Sequence, residues 1–148
     1  MASPERQPDS SMCFVCGRDN PIGLRLTFYV ADGQIRTTFT PRPEHQGWPG
    51  ILHGGIASTI LDETVGRTAF LVDMWAVTGR FVVHYHHPIP IGQEFTATGE
   101  IVRVRGRVLE ARGEIRLADG TVAVEAEGTY IRLSDEKRRE LEAQVDLR

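Results

Sequence analysis

Residues 53–72 read HGGIASTILDETVGRTAFLV, and this stretch decides the fold. Ala57, Leu61, Val65, Thr68 and Val72 recur at the 3.6-residue period of a helix, which gives it one apolar face. No other stretch in the body of the chain carries a long helical pattern. Working outward, residues 24–31 and 34–40 alternate as strands, with Asp32-Gly33 between them as a hairpin signal. Downstream, residues 75–88, 93–105, 108–117 and 121–133 read as strands, with a break at Gly106 and a second hairpin signal at Asp119-Gly120. The order is β-β-α-β-β-β-β. A lone one-sided helix among hairpins must bury its apolar side against their sheet, which predicts a two-layer α+β domain. Ser134 is placed to cap a short last helix, with Asp135 and Glu136 in its first turn. Residues 1–11 are polar and predicted to be a disordered lead-in. Residues 12–133 form the domain, and 134–148 a short helix and tail.

The chain has 148 residues, enough for one domain and few for two. Its charge of −3 argues against a nucleic-acid partner, which calls for a basic excess. The longest apolar region, residues 51–77, is interrupted by Asp62, Glu63, Arg67 and Asp73, so no membrane span is expected. The first 11 residues lack the apolar core of a secretion signal, and two cysteines make no disulfide framework. A cytoplasmic location is the expectation.

The chemistry concentrates where the long helix begins. Gly54 and Gly55 leave the amides of its first turn open to approach, and those amides with the helix dipole favour negative charge. A carbonyl turning into an oxyanion would be stabilised there. Two carboxylates follow. Glu63 precedes Arg67 by four residues, the favourable order for an ion pair on a solvated face. Asp62 shares its stripe with Ser58, Gly66 and Ala69, small residues that leave room for a ligand or a partner chain. Gly55 and Asp62 stand seven residues apart, about 10 Å along a helix, too far for one carbonyl to touch both. If both serve one substrate, they come from two chains of a two-fold dimer.

The stretches GWPGILHGGIASTILDE and VTGRFVVHYHHPIPIG resemble the hotdog-fold thioesterases, specifically the PaaI-like acyl-CoA thioesterase family. The resemblance runs from about Cys13 to Arg132. It implies an antiparallel sheet wrapped around one central helix, an acyl-CoA or similar pantetheine thioester as substrate, and no cofactor or metal. It also implies a homodimer, or a dimer of dimers, with sites at the dimer interface. The HGG motif followed by an acid nine residues after the His selects Asp62 as nucleophile or general base. Gly54 or Gly55 would supply the oxyanion amide, and His53 would shape the turn. Thr78, ten residues before Pro88, matches a hydroxyl residue that positions water in some members. Relatives that carry Asn or Gln six residues before the His differ from this chain, which has Gly47 there; Gln46, one place earlier, is the nearest match. His45 is the other polar candidate in that loop. His45, Glu63, His84, Arg103 and Arg105 stand as candidate substrate contacts, with His86, His87 and Arg107 as further candidates for a phosphate of coenzyme A.

Other readings remain open. The same fold could bind acyl-CoA without chemistry. A hotdog enoyl-CoA hydratase would need a His beside the acid, and residues 56–72 hold none. Cys13-x-x-Cys16-Gly17 resembles half of a zinc site, but two ligands are not a site, so a packed turn is expected. Trp48 and Trp75 are expected to pack.

Overall fold

The structure, a computed structural model, describes residues 3–148. Seven strands form one antiparallel sheet: β1 Glu5–Arg6, β2 Tyr29–Ala31, β3 Gln34–Phe39, β4 Ala76–Tyr85, β5 Phe95–Arg105, β6 Val108–Leu117 and β7 Val122–Arg132. Their spatial order is β1-β2-β3-β5-β6-β7-β4. The helix α1, Gly54–Gly66, lies across the sheet, and α2, Asp135–Gln144, follows the last strand. Ser134 caps α2 by accepting a hydrogen bond from the Lys137 amide at 3.1 Å.

The sheet wraps α1 because its inner face is apolar at every second residue. Phe28, Ile35, Phe95, Ile115 and Val124 meet Ala57, Ile60 and Leu61 in one buried cluster. The helix passes closest where β5 and β6 pair Gly99 with Gly113. A Cβ on Gly99 would stand 2.8 Å from the Thr64 carbonyl oxygen, and one on Gly113 would stand 2.6 Å from a Val65 methyl. Only glycine lets helix and sheet approach this far.

Three expectations change. The helical pattern extends to Val72, but regular α-helix ends at Gly66, and Arg67–Val72 continue as a tighter 3-10 turn closed by Asp73 in the left-handed conformation. The predicted strand at 24–31 joins the sheet only at Tyr29–Ala31. Its first part bonds instead to the cysteine turn, Leu24 to Phe14 at 2.8 Å and Leu26 to Val15 at 2.9 Å. The lead-in is ordered rather than disordered over 3–11, while Met1 and Ala2 lie outside the described residues. Glu5–Arg6 pair with β2, and Asp9 exchanges two backbone hydrogen bonds with Arg148. Its polar residues are held by partners: Asp9 is buried between Arg6 and Arg18.

Candidate active site

The loop before α1 is built by its own polar groups. His45 closes the 3-10 turn Pro43–His45, its Nδ1 accepting the Arg42 amide at 3.0 Å. Burial and the neighbouring Arg42 hold its imidazole below the ordinary histidine range, so the neutral ring is favoured. His45 is therefore a buried loop anchor, packed on Phe39, and not the substrate contact expected. Gln46 spends its side-chain oxygen on the Gly50 amide at 3.1 Å, which shapes the loop tip. Trp48, expected to pack, stands 81% exposed on the rim of a cavity of about 750 Å³.

His53 is the N-cap of α1, and its Nδ1 accepts the Gly55 amide at 2.9 Å. Gly55 is thus engaged, which leaves the Gly54 N–H as the first-turn amide without a partner among the described residues. Gly54 faces the 750 Å³ cavity together with Tyr85, His86 and His87. The Tyr85 hydroxyl donates to the Gly54 carbonyl at 2.7 Å and also bonds Ser58. The anion-favouring end of the helix therefore opens into a cavity with two histidines beside it.

Asp62 lies two turns further on, in a second cavity of about 420 Å³. Its Oδ1 accepts from Thr78 Oγ1 at 2.9 Å and from the Tyr130 hydroxyl at 3.0 Å. Thr78 and Tyr130 are cross-strand partners in the β4–β7 ladder, and a β-bulge follows Thr78. The ladder thus aims two hydroxyls at one carboxylate oxygen. Oδ2 has no hydrogen-bond partner among the described residues. Burial, then the Asp62 charge, push the Tyr130 phenol well above its ordinary value, so it stays a donor. Phe70, Trp75, Val77 and Leu147 give this cavity its apolar walls. Tyr130 carried no motif that sequence reasoning could use; only the register of β7 against β4 reveals it.

Glu63 forms the expected pair with Arg67, Nε to Oε2 at 3.7 Å, but the pair is not a solvated surface pair. The Arg67 side chain is 6% exposed and that of Glu63 22%. Arg67 stacks over the Phe28 ring and donates to Gln7 and Pro8 of the ordered lead-in. Burial pushes the Glu63 carboxyl up to about 7, against the pull of Arg67. Above it lie Cys13 and Cys16, both free thiols, and Cys13 donates to Glu63 Oε1 at 3.4 Å. These three residues are the one group of convergent metal-type donors among the described residues.

The structure separates the remaining candidates from both cavities. His84 lines a polar groove on the sheet with Gln34, Glu100, Arg112 and Glu125, apart from the cavity that Gly54 faces. His86 and His87 line the cavity of Gly54, with the His86 Nε2 also 3.9 Å from Glu125, which shares the groove of His84. Arg103 is bound by Glu110 across the β5–β6 hairpin, and Arg105 sits at the exposed end of β5.

The sequence profile of the thioesterase superfamily matches residues 49–124, just over half of the chain, and spans Gly54, Asp62 and Thr78. The chain belongs to the thioesterase superfamily. Within this superfamily it has the hotdog fold, with seven antiparallel strands around one long helix. It is 33% identical over 136 residues to acyl-coenzyme A thioesterase THEM4 of Mus musculus, covering 90% of this chain and 59% of that one. It is 30% identical over 109 residues to the Xenopus laevis THEM4, 73% of this chain and 49% of the relative. The chain thus spans about half to three fifths of these relatives' length. Among solved structures, protein RHA08564 of the thioesterase superfamily superposes with a TM-score of 0.77 at 32% identity, over 82% of this chain and 60% of that chain. The E. coli PaaI protein superposes at 0.70 with 17% identity, over 75% and 81% respectively, a likeness of fold. Among the described residues of this superfamily member, no helix is long and apolar enough to cross a membrane.

Proposed function

We propose that the chain hydrolyses the thioester of an acyl-CoA, or of a similar pantetheine carrier, to a free acid and a thiol. The observation that carries this reading is the Asp62 carboxylate, fixed through one oxygen by Thr78 and Tyr130 and left with the other oxygen open to an apolar cavity. Family membership and the THEM4 names support the substrate class.

In this mechanism Oδ2 of Asp62 takes a proton from water as the water oxygen attacks the thioester carbon; direct attack by Asp62 is the nucleophilic variant. The carbonyl oxygen becomes an oxyanion, held by the Gly54 amide and the positive end of α1. Collapse of the tetrahedral intermediate breaks the C–S bond and releases the thiolate. A thioester is already activated, so one base, one oxyanion donor and an apolar pocket suffice.

Both groups cannot serve one substrate within one chain. Gly54 and Asp62 are eight residues apart on α1, about 12 Å at the helical rise, and they open into different cavities. We infer a two-fold dimer in which Gly54 of one protomer faces Asp62 of its partner. The unpaired outer edge of β4 supports this, because it is ten residues long, exposed over much of its length, and carries both Thr78 and Tyr85. His87, which lines the cavity with Gly54, is suited to a phosphate of the coenzyme, whereas the imidazole of His86 stands 3.9 Å from the Glu125 carboxylate.

A thiol-release screen over short, medium, branched and aromatic acyl-CoAs tests the reading. Steady turnover of at least one class supports it. Tight acyl-CoA binding without thiol release across the whole panel would make the chain a binding module instead.

A further inference from the structure

Cys13, Cys16 and Glu63 line the same cavity as Asp62 but take no step in the hydrolysis described above. They come from segments 50 residues apart, yet the sulfurs of Cys13 and Cys16 and a carboxylate oxygen of Glu63 all lie within 4.8 Å of one another. We propose that this cluster is a binding site for a thiolate-preferring divalent cation, zinc foremost.

The spacing suits such an ion. With Zn–S near 2.3 Å and Zn–O near 2.0–2.2 Å, tetrahedral ligands stand about 3.8 Å apart between two sulfurs and about 3.5 Å between sulfur and oxygen. Cys13 Sγ and Glu63 Oε1 are 3.4 Å apart before any ion draws them in. The turn is also shaped as a ligand knuckle. The Gly17 amide closes it on the Cys13 carbonyl at 2.8 Å, and the Cys16 amide points at Cys13 Sγ at 3.5 Å, where it would stabilise a thiolate. A side chain at Gly17 would put a Cβ 2.5 Å from the Cys13 carbonyl oxygen, so the tight form requires glycine.

Glu63 lacks a strong partner without the ion. A thiol is a weak donor, and Arg67 Nε at 3.7 Å is too far for a hydrogen bond; that Nε is itself a buried nitrogen without a partner. Charge balances when an ion is added. Two thiolates and one carboxylate carry −3, which a divalent cation and the buried Arg67 guanidinium together cancel. Two sulfurs exclude magnesium and calcium, which take oxygen ligands. The fourth ligand would be water from the cavity that Cys13, Cys16 and Glu63 line. Binding forms metal–sulfur bonds and releases the thiol protons to solvent, with no change of oxidation state.

The test uses the full chain, reduced and stripped with a chelator, and its readout is independent of thioester turnover. Titration with Co²⁺ should give a thiolate-to-cobalt charge-transfer band that saturates at one equivalent per chain and is erased by Zn²⁺. Cys13→Ser and Cys16→Ser should each weaken binding at least about 100-fold, and Glu63→Gln at least about 10-fold. Circular dichroism on each variant separates lost binding from lost fold; if a cysteine variant unfolds, the wild-type titration decides alone. No band and no stoichiometric zinc in folded, reduced wild-type protein would overturn the site. So would uptake that survives the cysteine substitutions or is untouched by Glu63→Gln.

Discussion

The Gly54 amide is open to a test that changes one atom group and little else. Gly54 is the first residue of α1, the position where proline is best tolerated, because an amide there has no helical acceptor to lose. His53 precedes it with φ −59° and ψ 130°, which is the extended conformation proline demands of its neighbour. Gly54→Pro therefore removes the proposed oxyanion donor while leaving the helix able to start. Gly54→Ala is the control that keeps the N–H, and its Cβ would meet a Tyr85 ring carbon at 3.4 Å. The magnitude follows from the count of donors. Gly55 is held by His53, so Gly54 is the one first-turn amide without a partner among the described residues, and losing one oxyanion donor costs about 3–4 kcal/mol, or 10²–10³ in kcat. Thiol release under saturating acyl-CoA is the assay, with thermal unfolding to confirm the fold. Gly54→Pro should fall at least about 100-fold, and Gly54→Ala should stay within about 10-fold of wild type. A folded Gly54→Pro protein with wild-type kcat would refute the assignment of the helix end as oxyanion site.

Four further outcomes are expected. Tyr130→Phe removes one of the two hydroxyls on Asp62 Oδ1 and should lower kcat about 10-fold with KM little changed, as read from steady-state kinetics. Mixing Asp62→Asn with Gly54→Pro protein, unfolded and refolded together, should restore about a quarter of wild-type activity, since half the dimers are mixed and each holds one intact site of two; no recovery would place the site within one chain. Gly113→Ala should cost about 1–3 kcal/mol in chemical denaturation, because its Cβ would be driven against Val65 and the Thr98 carbonyl. His45 has its folded pKa depressed by burial, so its contribution to stability is fully present above the unfolded value near 6.5 and is lost as pH falls through the window below it. His45→Gln should accordingly flatten the dependence of unfolding free energy on pH in that acid window; an unchanged slope would show that His45 is not the group responsible.

What the sequence makes legible is local. The period of residues 57–68 gives the helix and its buried face, and Asp32-Gly33 and Asp119-Gly120 give hairpins. The small-residue stripe around Asp62 and the HGG resemblance single out the acid, and the ten-residue spacing to Pro88 in the same resemblance singles out Thr78. Tyr130 stays hidden because its link to Asp62 spans 68 residues and depends on strand register, with Thr78 opposite Tyr130 in the ladder. The i,i+4 spacing finds the Glu63–Arg67 pair but says nothing of its burial. That burial comes from the cysteine turn and the lead-in folding over it, held by backbone hydrogen bonds and ion pairs that leave no apolar period to read. His45 drew notice as a polar residue of the loop before the HGG motif, and His84, Arg103 and Arg105 by residue type; the fold gives each a structural or solvated place.

The central claim is that the open oxygen of Asp62 does the chemistry. Asp62→Asn preserves the size of the side chain and an oxygen for Thr78 and Tyr130 while removing the base. With the best acyl-CoA of the panel, kcat for thiol release should fall at least about 100-fold with the protein still folded. A folded Asp62→Asn protein that releases thiol at the wild-type rate would contradict the account.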